Sequence, residues 1–355
     1  MKTTRALAWL LAGLMLWPLL ARGEEKRVTM TFLGDCTIGG EDRLREKEES
    51  FDEYLRRYGM GYFFEKVQPI LAADDWTVAN LEGVFSDIES GKMENKTYCF
   101  RGPSAYTEVL KGSGVECVNV ANNHSLDYRD IGMRRTVKAL EEAGIAWFGC
   151  NMVVKQVYTY EKDGIRIGFL GVDANYMHQD RPAVTRQLNA LKKQGCQLIV
   201  ASLHGGREYF EKRDRGQETK ARWLIDNGCG LVICHHPHVL QGIDLYKGAT
   251  ICYSLGNFVF GGNAAIKRAR ARYSAMFQFT FSFDEENRYL GQQLNLIPVF
   301  VSADAEINTY QPYPVGGSDA QAVLRCIQVD TAFPLNPYVE NVGAVQDFVP
   351  ANHEK

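Results

Sequence analysis

Short apolar runs alternate with amphipathic segments over most of the chain. Runs rich in β-branched and aromatic residues predict strands, and apolar residues spaced three or four apart predict helices. The predicted strands span residues 28–33, 77–79, 117–121, 145–148, 157–160, 165–172, 197–203, 231–234, 250–253, 276–283 and 294–301. The predicted helices span residues 63–71, 131–143, 184–194, 219–227 and 318–325. This alternation predicts a layered α/β fold.

The pattern changes after residue 260, where two long β-rich runs flank Asp284-Glu285-Glu286-Asn287. These runs predict an antiparallel hairpin that closes the main sheet. From about residue 303 the chain is rich in Pro, Gly and Asn. We therefore expect one domain over residues 24–305 and a C-terminal extension, residues 306–355, that packs on it.

The first residues have the features of an export signal. Lys2 and Arg5 precede an apolar run from Ala6 to Leu20, and Ala21-Arg22-Gly23 follows it. The run is shorter than the ~20 residues of a spanning helix, which favours a signal peptide in residues 1–23. An uncleaved N-terminal anchor is the alternative. Both predict an extracytoplasmic protein, secreted or anchored at the cell envelope.

The charge balance argues against a nucleic-acid partner. The chain has 40 basic and 43 acidic residues, and the predicted signal contains three of the basic ones. The mature chain would therefore be acidic and would repel phosphate backbones. Lys267, Arg268, Arg270 and Arg272 form one local basic cluster. That cluster either meets an anionic polymer or is a solvated face.

Polar clusters follow five of the predicted strands, where α/β proteins build their active sites. The clusters are Gly34-Asp35, Asn80-Leu81-Glu82, Asn122-Asn123-His124-Ser125-Leu126-Asp127, His204-Gly205-Gly206 and His235-His236-Pro237-His238. Five of the seven histidines fall in three of these loops. This concentration predicts one metal-binding hydrolase centre.

The histidine loops suggest separate roles for neighbouring residues. In Asn123-His124, the amide can bind a metal ion while the imidazole moves a proton. Asp127, three residues later, could orient the His124 ring and fix its tautomer. In His236-Pro237-His238, the bend imposed by Pro237 can direct both rings to one centre.

The remaining polar residues are open to two interpretations each. Asp35 either provides a metal ligand or forms a Gly-Asp turn, and Glu82 either bridges two metal ions or caps a turn. Arg101 suits a carboxylate or phosphate but could equally form a surface ion pair. Asn257 follows a strand and offers its amide to a ligand, or it belongs to a turn.

Taken in order, these motifs resemble the poly-γ-glutamate capsule biosynthesis (CapA) family, which is similar to the calcineurin-like metallophosphoesterases. The resemblance covers residues from about 28 to 300 and includes Phe100-Arg101-Gly102-Pro103. Its other blocks are Gly34-Asp35, Asn80-Leu81-Glu82, 122–128, 204–209, 235–239 and 254–258. The resemblance implies a four-layer αββα sandwich with mixed sheets around a dinuclear metal site.

The resemblance also implies roles for individual residues. Asp35 and His238 would hold one metal ion, Asn123, His204 and His236 the other, and Glu82 would bridge them. His124 would be the proton donor, with Asp127 as its catalytic partner. Arg101 would contact an anion, and we assign Asn122, Glu208 and Asn257 to substrate binding with it.

Two blocks depart from the phosphoesterase pattern. Asp35-Cys36-Thr37 stands where D-x-H is expected, and Asn80-Leu81-Glu82 stands where Gly-Asp is expected. One metal ion thus loses an imidazole, which favours ions that tolerate oxygen ligands, such as Mn²⁺ or Mg²⁺. We expect two divalent ions, drawn from Mn, Zn, Fe and Mg.

The resemblance implies an exported, metal-dependent hydrolase of capsule or poly-γ-glutamate metabolism. The bond cleaved is a phosphoester or an amide, and the residues alone do not choose between them. Its expected partners are an anionic polymer such as poly-γ-glutamate and membrane-bound capsule synthesis proteins. The alternatives are a non-catalytic component that binds the polyanion in a synthesis or export complex, and a metallophosphoesterase for small substrates.

Overall fold

The computed structural model describes residues 25–352, so the predicted export signal at residues 1–23 lies outside the described residues. The strands are β1 (Lys26–Cys36), β2 (Trp76–Leu81), β3 (Val84–Phe85), β4 (Arg101–Gly102), β5 (Cys117–Asn119), β6 (Ala146–Cys150), β7 (Lys155–Gln156), β8 (Tyr158–Lys162), β9 (Ile165–Asp173), β10 (Leu198–His204), β11 (Leu231–His235), β12 (Ile243–Tyr246), β13 (Ala249–Cys252), β14 (Tyr273–Phe283), β15 (Tyr289–Phe300), β16 (Tyr313–Pro314), β17 (Ala344–Val345) and β18 (Val349–Pro350).

The α-helices are α1 (Phe51–Tyr58), α2 (Gln68–Leu71), α3 (Thr107–Lys111), α4 (Arg129–Ala143), α5 (Ala174–Gln179), α6 (Arg181–Lys193), α7 (Arg215–Asp226), α8 (Asn263–Ile266) and α9 (Gly317–Gln328). Short 3-10 helices span Asp42–Leu44, Met60–Phe63 and Ser104–Tyr106. In the part of the chain that the structure describes, no helix is long and apolar enough to cross a membrane.

Sixteen strands form one curled mixed sheet, whose main path has the order β12-β13-β11-β10-β9-β6-β5-β2-β1-β14-β15-β16. Strands β7, β8, β17 and β18 pair with members of this path, and β3 and β4 form a separate two-stranded sheet. The central strands of the main path pair in parallel; they are β1, β2, β5, β6, β9, β10 and β11. The two halves of the sheet are joined because β6 pairs with β5 and, through a single pair of residues, with β9. Strands β14 and β15 form the predicted antiparallel hairpin beside β1.

Three apolar clusters show the layers. Residues such as Phe32 and Phe169 face each other between the two halves of the sheet. Their chain neighbours point to the opposite faces, as the pleat of a strand requires: Leu33 packs with the helices α1–α4, and Leu170 packs with α6 and α7. The order is therefore helix, sheet, sheet, helix, and the predicted four-layer α/β fold is confirmed.

The C-terminal segment adds to this frame. Strands β16, β17 and β18 pair with β15, and the apolar face of α9, which includes Val323 and Ile327, packs into the inner cluster. The predicted domain boundaries at residues 24–305 and 306–355 stay a prediction.

Helix boundaries follow local chemistry. Helix α4 ends at Gly144, which adopts the left-handed conformation (φ 74°) expected of a C-cap glycine. The predicted helix 63–71 is only partly formed: α2 covers its last residues, and the chain before α2 is a 3-10 helix and a turn. Pro69 lies in the first turn of α2. Since proline has no backbone N–H, it cannot donate the hydrogen bond that would continue the helix toward residue 63.

Gly34 allows β1 to approach the loop that carries Asn257. The backbone N–H of Asp35 donates to the Gly256 carbonyl at 3.0 Å, and the N–H of Phe258 donates to the Asp35 carbonyl at 2.8 Å. A Cβ atom at Gly34 would lie 2.1 Å from the Gly256 oxygen. No side chain fits that gap unless β1 moves away from the loop.

Gly34→Ala should therefore lower the free energy of unfolding by about 1–3 kcal/mol, because the added methyl overpacks this contact. Urea denaturation measures the change. The control is Gly61→Ala, where a Cβ would meet nothing within 4 Å. Equal stability of the two variants would contradict the tight contact at Gly34.

Candidate metal centre

The predicted polar clusters meet at the carboxyl ends of the parallel strands. Asp35 lies near the end of β1, and Glu82 directly follows β2. His204 and His235 are the last residues of β10 and β11, and they lie opposite each other in register. Because these strands run parallel, their last residues share one edge of the sheet.

Glu82 lies at the middle of this group and is fully buried. Its Oε1 atom lies 3.5 Å from Nε2 of His204 and 3.9 Å from Nε2 of both His124 and His238. Neither of its carboxylate oxygens has a hydrogen-bond partner within residues 25–352. Burial, and next the charge of Asp35, raise the pKa of Glu82 well above its ordinary value.

Asp35 is also fully buried but is well compensated. Its Oδ1 accepts from Nδ2 of Asn80 at 2.8 Å, and its Oδ2 accepts from the backbone N–H of His236 at 3.3 Å. Nδ1 of His238 and Nδ1 of His235 lie 3.1 and 3.4 Å from its oxygens. Burial would raise the pKa of Asp35, but contacts with His235 and His238 hold it well below its ordinary value.

Two of the other ligand candidates, His204 and His236, have pKa values that favour the neutral imidazole. Burial, and next the neighbouring His236, lower the pKa of His204 well below its usual range. Burial, and next His238, lower the pKa of His236 to about 4. Neutral imidazole is the form that binds a metal ion. Nε2 of His204 also lies 2.9 Å from Oδ1 of Asn123, which brings that amide to the centre.

The loop after β11 has strained backbone geometry. His236 and His238 have positive φ angles of 100° and 58°. Such angles are costly for residues other than glycine and persist only where surrounding contacts impose them. The rings of His236 and His238 lie 5.8 Å apart on either side of Pro237, so the bend brings both to the centre.

Two sets of side chains could each hold a metal ion: Glu82 with His236 and His238, and Asp35 with Glu82 and His204. The donor atoms in each set lie within 4.8 Å of one another. Glu82 belongs to both sets, as predicted for a bridging ligand. These sets group the histidines differently from the sequence-based assignment, but Oδ2 of Asp35 also lies 3.1 Å from Nδ1 of His238, and the His204 and His236 rings lie 4.9 Å apart. The assignment of each histidine to one ion therefore stays a prediction.

The donors fit a divalent cation. Carboxylate oxygens and neutral imidazole nitrogens are ligands for such ions. Among the described residues, Nδ1 of His236 and both oxygens of Glu82 are buried without a hydrogen-bond partner. A buried carboxylate without compensation is costly, and a cation would remove that cost.

His124 lies beside this centre, and Asp127 contacts the ring nitrogen that points away from Glu82. Nδ1 of His124 lies 2.7 Å from Oδ2 of Asp127, so Asp127 fixes the ring with Nε2 directed toward Glu82. Burial lowers the pKa of His124, and the hydrogen bond that Asp127 accepts from its Nδ1 opposes that shift. Phe100 packs on the ring at 4.3 Å between centroids. This geometry matches the predicted pairing of His124 with Asp127.

Lys96 is a part of this group that the sequence did not indicate. Its Nζ donates to the Asn123 carbonyl at 2.7 Å, contacts the Asp127 carboxylate, and lies 3.2 Å from Nδ1 of His124. Lys96 therefore ties the Asn123 backbone and the Asp127 carboxylate together. It lies in a loop without periodicity, so no pattern could have identified it.

Asn80 and His235 belong to the predicted polar clusters, but neither received an individual role from the sequence. Asn80 donates to Asp35 and lies 3.3 Å from Nδ1 of His204. His235 points to the inner side of the sheet, like Ile233 two residues earlier. The two-residue period of β11 was the signal that could have placed His235 beside Asp35.

Of the predicted substrate-binding residues, Asn122 and Asn257 contact other protein groups, whereas Glu208 lines a cavity. Nδ2 of Asn122 donates to the Leu81 carbonyl at 2.7 Å, and its Oδ1 accepts from the His124 N–H, so Asn122 shapes the loop. Oδ1 of Asn257 lies 3.0 Å from Nδ1 of His238 and orients that ring. Glu208 is exposed and lines a cavity of about 370 Å³ that opens onto His124 and His238.

Arg101 does not reach the centre. Its guanidinium is buried against Asp42, Glu89 and the Ser86 carbonyl. It also lies over the Tyr128 ring at 5.7 Å. These partners occupy its donors, so the structure does not place it as the anion contact expected from the sequence.

Comparison with known proteins identifies the family. The family model described as "Bacterial capsule synthesis protein PGA_cap" matches residues 29–262. The "Capsule biosynthesis protein CapA" of Bacillus anthracis is 30% identical over 258 residues, which are 67% of this chain and 61% of that protein. The "PGA biosynthesis protein CapA" of Bacillus subtilis (strain 168) is 27% identical over 298 residues, 79% of this chain and 75% of that protein.

Among solved structures, the NAD nucleotidase of Haemophilus influenzae aligns with a TM-score of 0.44 and 11% identity, over 88% of this chain and 57% of that chain. The match to the family model extends over most of the present sequence and contains every residue of the candidate centre. The resemblance inferred from the motifs is thereby confirmed, and the chain belongs to the bacterial capsule synthesis protein PGA_cap family.

Proposed function

We propose that this chain is a metal-dependent hydrolase of capsule polymer metabolism, with poly-γ-glutamate as its substrate class. The observation that carries the proposal is the buried Glu82 carboxylate, which lacks a hydrogen-bond partner among the described residues and lies within 4 Å of three imidazoles. A carboxylate in that position requires a cation or a proton. Two divalent ions bound at the sets that contain Glu82 would satisfy this requirement.

A divalent ion bound there supplies Lewis-acid activation of water and of the substrate oxygen. The chain provides the other groups. The residues that would hold the ions are Asp35, Glu82, His204, His236 and His238, with the Asn123 amide beside them. Asn80 and Asn257 fix the orientation of their neighbours Asp35 and His238.

His124 is the proposed acid, because its Nε2 faces the centre while Asp127 accepts from its Nδ1. A carboxylate can only accept, so Asp127 selects the tautomer with hydrogen on Nδ1. A protonated Nε2 could then deliver its proton to a leaving group at the centre. Lys96 holds Asp127 in place from the other side.

The polymer assignment rests on the relatives. Their names refer to capsule and PGA biosynthesis. A carboxylate polymer made for the cell exterior agrees with the export signal expected from residues 1–23. We therefore propose an extracytoplasmic protein that works with membrane-bound capsule synthesis proteins.

Loss of the shared carboxylate should weaken metal binding. Glu82→Gln should lower Mn²⁺ affinity by at least about tenfold, because even the loss of a group that only orients a ligand costs this much. Equilibrium dialysis with elemental analysis measures the affinity and the number of ions. The control is Glu142→Gln, which removes an exposed carboxylate. Unchanged Mn²⁺ binding by Glu82→Gln would contradict the metal centre.

Without metal, the same variant should be more stable than the wild type at pH 8. The raised pKa means that folded Glu82 keeps its proton to a higher pH than in the unfolded chain. Its contribution to stability is therefore full below the ordinary pKa of glutamate and is lost as pH rises through the folded value. Urea denaturation of chelator-treated protein should favour Glu82→Gln by about 1–3 kcal/mol at pH 8, and by much less at pH 5. A stability difference between Glu82→Gln and the wild type that stays constant from pH 5 to pH 8 would contradict the raised pKa of Glu82.

His124→Ala should retain its metal ions and lose hydrolysis. Loss of a general acid lowers kcat by about 10²–10⁴-fold. The assay uses poly-γ-glutamate and, as a generic phosphodiester, bis(4-nitrophenyl) phosphate, each with Mn²⁺-loaded protein. Activity that survives the substitution would exclude His124 as the acid. Turnover of neither probe by wild-type protein would favour the non-catalytic, polymer-binding alternative.

Lys96→Met should lower kcat by about tenfold and leave KM nearly unchanged, because Lys96 acts through Asp127 and His124 rather than on the substrate. Lys92→Met is the matched control, since Lys92 lies in the same loop and its ammonium group is half-exposed in an ion pair with Asp42. If the two variants behaved alike, Lys96 would have no positioning role.

A further inference from the structure

The cavity beside the metal centre has one surface formed by aromatic side chains. Its volume is about 370 Å³, near the lower end of the roughly 300–1,000 Å³ usual for ligand pockets. Phe100 and Phe260 pack on His124 and His238, each at 4.3 Å between ring centroids. A ligand in the cavity therefore reaches the two histidines along these phenyl rings. The volume accommodates a short segment of polymer.

Arg268 lines this cavity and is held by an aromatic ring. Its guanidinium carbon lies 4.5 Å from the centroid of the Tyr209 ring. Tyr209 is connected to the metal centre, because its N–H donates to the Pro237 carbonyl at 2.7 Å and its ring lies 5.8 Å from that of His238. Stacking leaves the edge of a guanidinium free to donate to a carboxylate in a bidentate arrangement.

Within residues 25–352, no carboxylate pairs with Arg268, whereas Lys267 and Arg270 of the same segment each have one. Lys267 lies 3.1 Å from Glu306, and Arg270 pairs with Glu211 at 2.5 Å. Arg272 donates to the Ser302 carbonyl and lies over Phe300. Of the basic cluster found in the sequence, Arg268 alone lines the cavity.

Among the other charged side chains that line the cavity, acidic ones predominate. The acidic side chains are Glu41, Glu48, Glu49, Asp52 and Glu208, and Lys47 is the other cation. Glu41 and Asp52 are paired with Arg43 and Arg45, but Glu48, Glu49 and Glu208 have no ion pair within residues 25–352. A second anionic group near these three carboxylates would meet like charge, which destabilises binding. This distribution suits one carboxylate at Arg268 and disfavours a row of them.

We propose that the cavity binds the end of an acidic polymer, with Arg268 receiving a single carboxylate next to the bond that reaches the metal centre. Arg268 is then a specificity-determining residue, and the remaining carboxylates of the chain stay outside the cavity. This inference rests on the proposed function for the class of polymer. It adds the mode of recognition, which is by one terminal group rather than by a run of charges.

The test measures binding rather than turnover, so that its failure can be told apart from failure of the hydrolase proposal. All variants are made in the Mn²⁺-loaded His124→Ala protein, in which the ligand is not consumed. Isothermal titration uses γ-glutamyl oligomers of two and of eight residues. The substitutions are Arg268→Ala and, as the matched control from the same segment, Arg270→Ala.

Arg268→Ala should weaken binding of the dimer by about tenfold or more, as expected for loss of a charged hydrogen bond. Arg270→Ala should leave the affinity unchanged, and the octamer should bind no more than about threefold more tightly than the dimer, since extra carboxylates make no further contact. Equal effects of the two substitutions, an affinity that rises steeply with chain length, or no binding of the dimer would each overturn the proposal. Hydrolysis by the wild-type protein is scored separately.

Discussion

Two carboxylates, Asp35 and Glu82, lie fully buried at one edge of the sheet, and the arrangement around them depends on how their charge is compensated. Removing a carboxylate from water costs several kcal/mol unless hydrogen bonds or a cation replace the lost hydration. Asp35 has this compensation from Asn80 and the His236 N–H. Glu82 does not have it from any described residue. The same burial keeps His204 and His236 neutral, so the chain itself supplies little positive charge to balance Glu82.

The fold creates this situation through strand direction. Parallel strands place Asp35, His204 and His235 at one edge, with Glu82 directly after β2. The tight contact at Gly34 fixes Asp35 against the Asn257 loop, which in turn orients His238. The positive φ angles of His236 and His238 show that the loop after β11 is held in a costly conformation. A strained loop around an uncompensated charge is the pattern of a site built for a ligand.

Much of this organisation could be predicted from the sequence. The apolar runs identified the central strands, and the polar residues that follow them identified the centre. Sequence spacing could not show how the side chains pair across the site. Arg101 was expected to face a ligand, but Asp42, 59 positions earlier, holds it. Lys96 reaches His124 from a loop without a repeating pattern, and the grouping of His236 with His238 depends on the backbone angles around Pro237.

The central claim is that metal ions compensate Glu82. The most direct measurement is a crystal structure of the protein loaded with Mn²⁺, with anomalous scattering recorded on both sides of the manganese absorption edge. The account predicts two anomalous peaks within bonding distance of the Glu82 oxygens, one near His236 and His238 and the other near Asp35 and His204. Absence of a peak, with Glu82 protonated and hydrogen-bonded to ordered water, would contradict it.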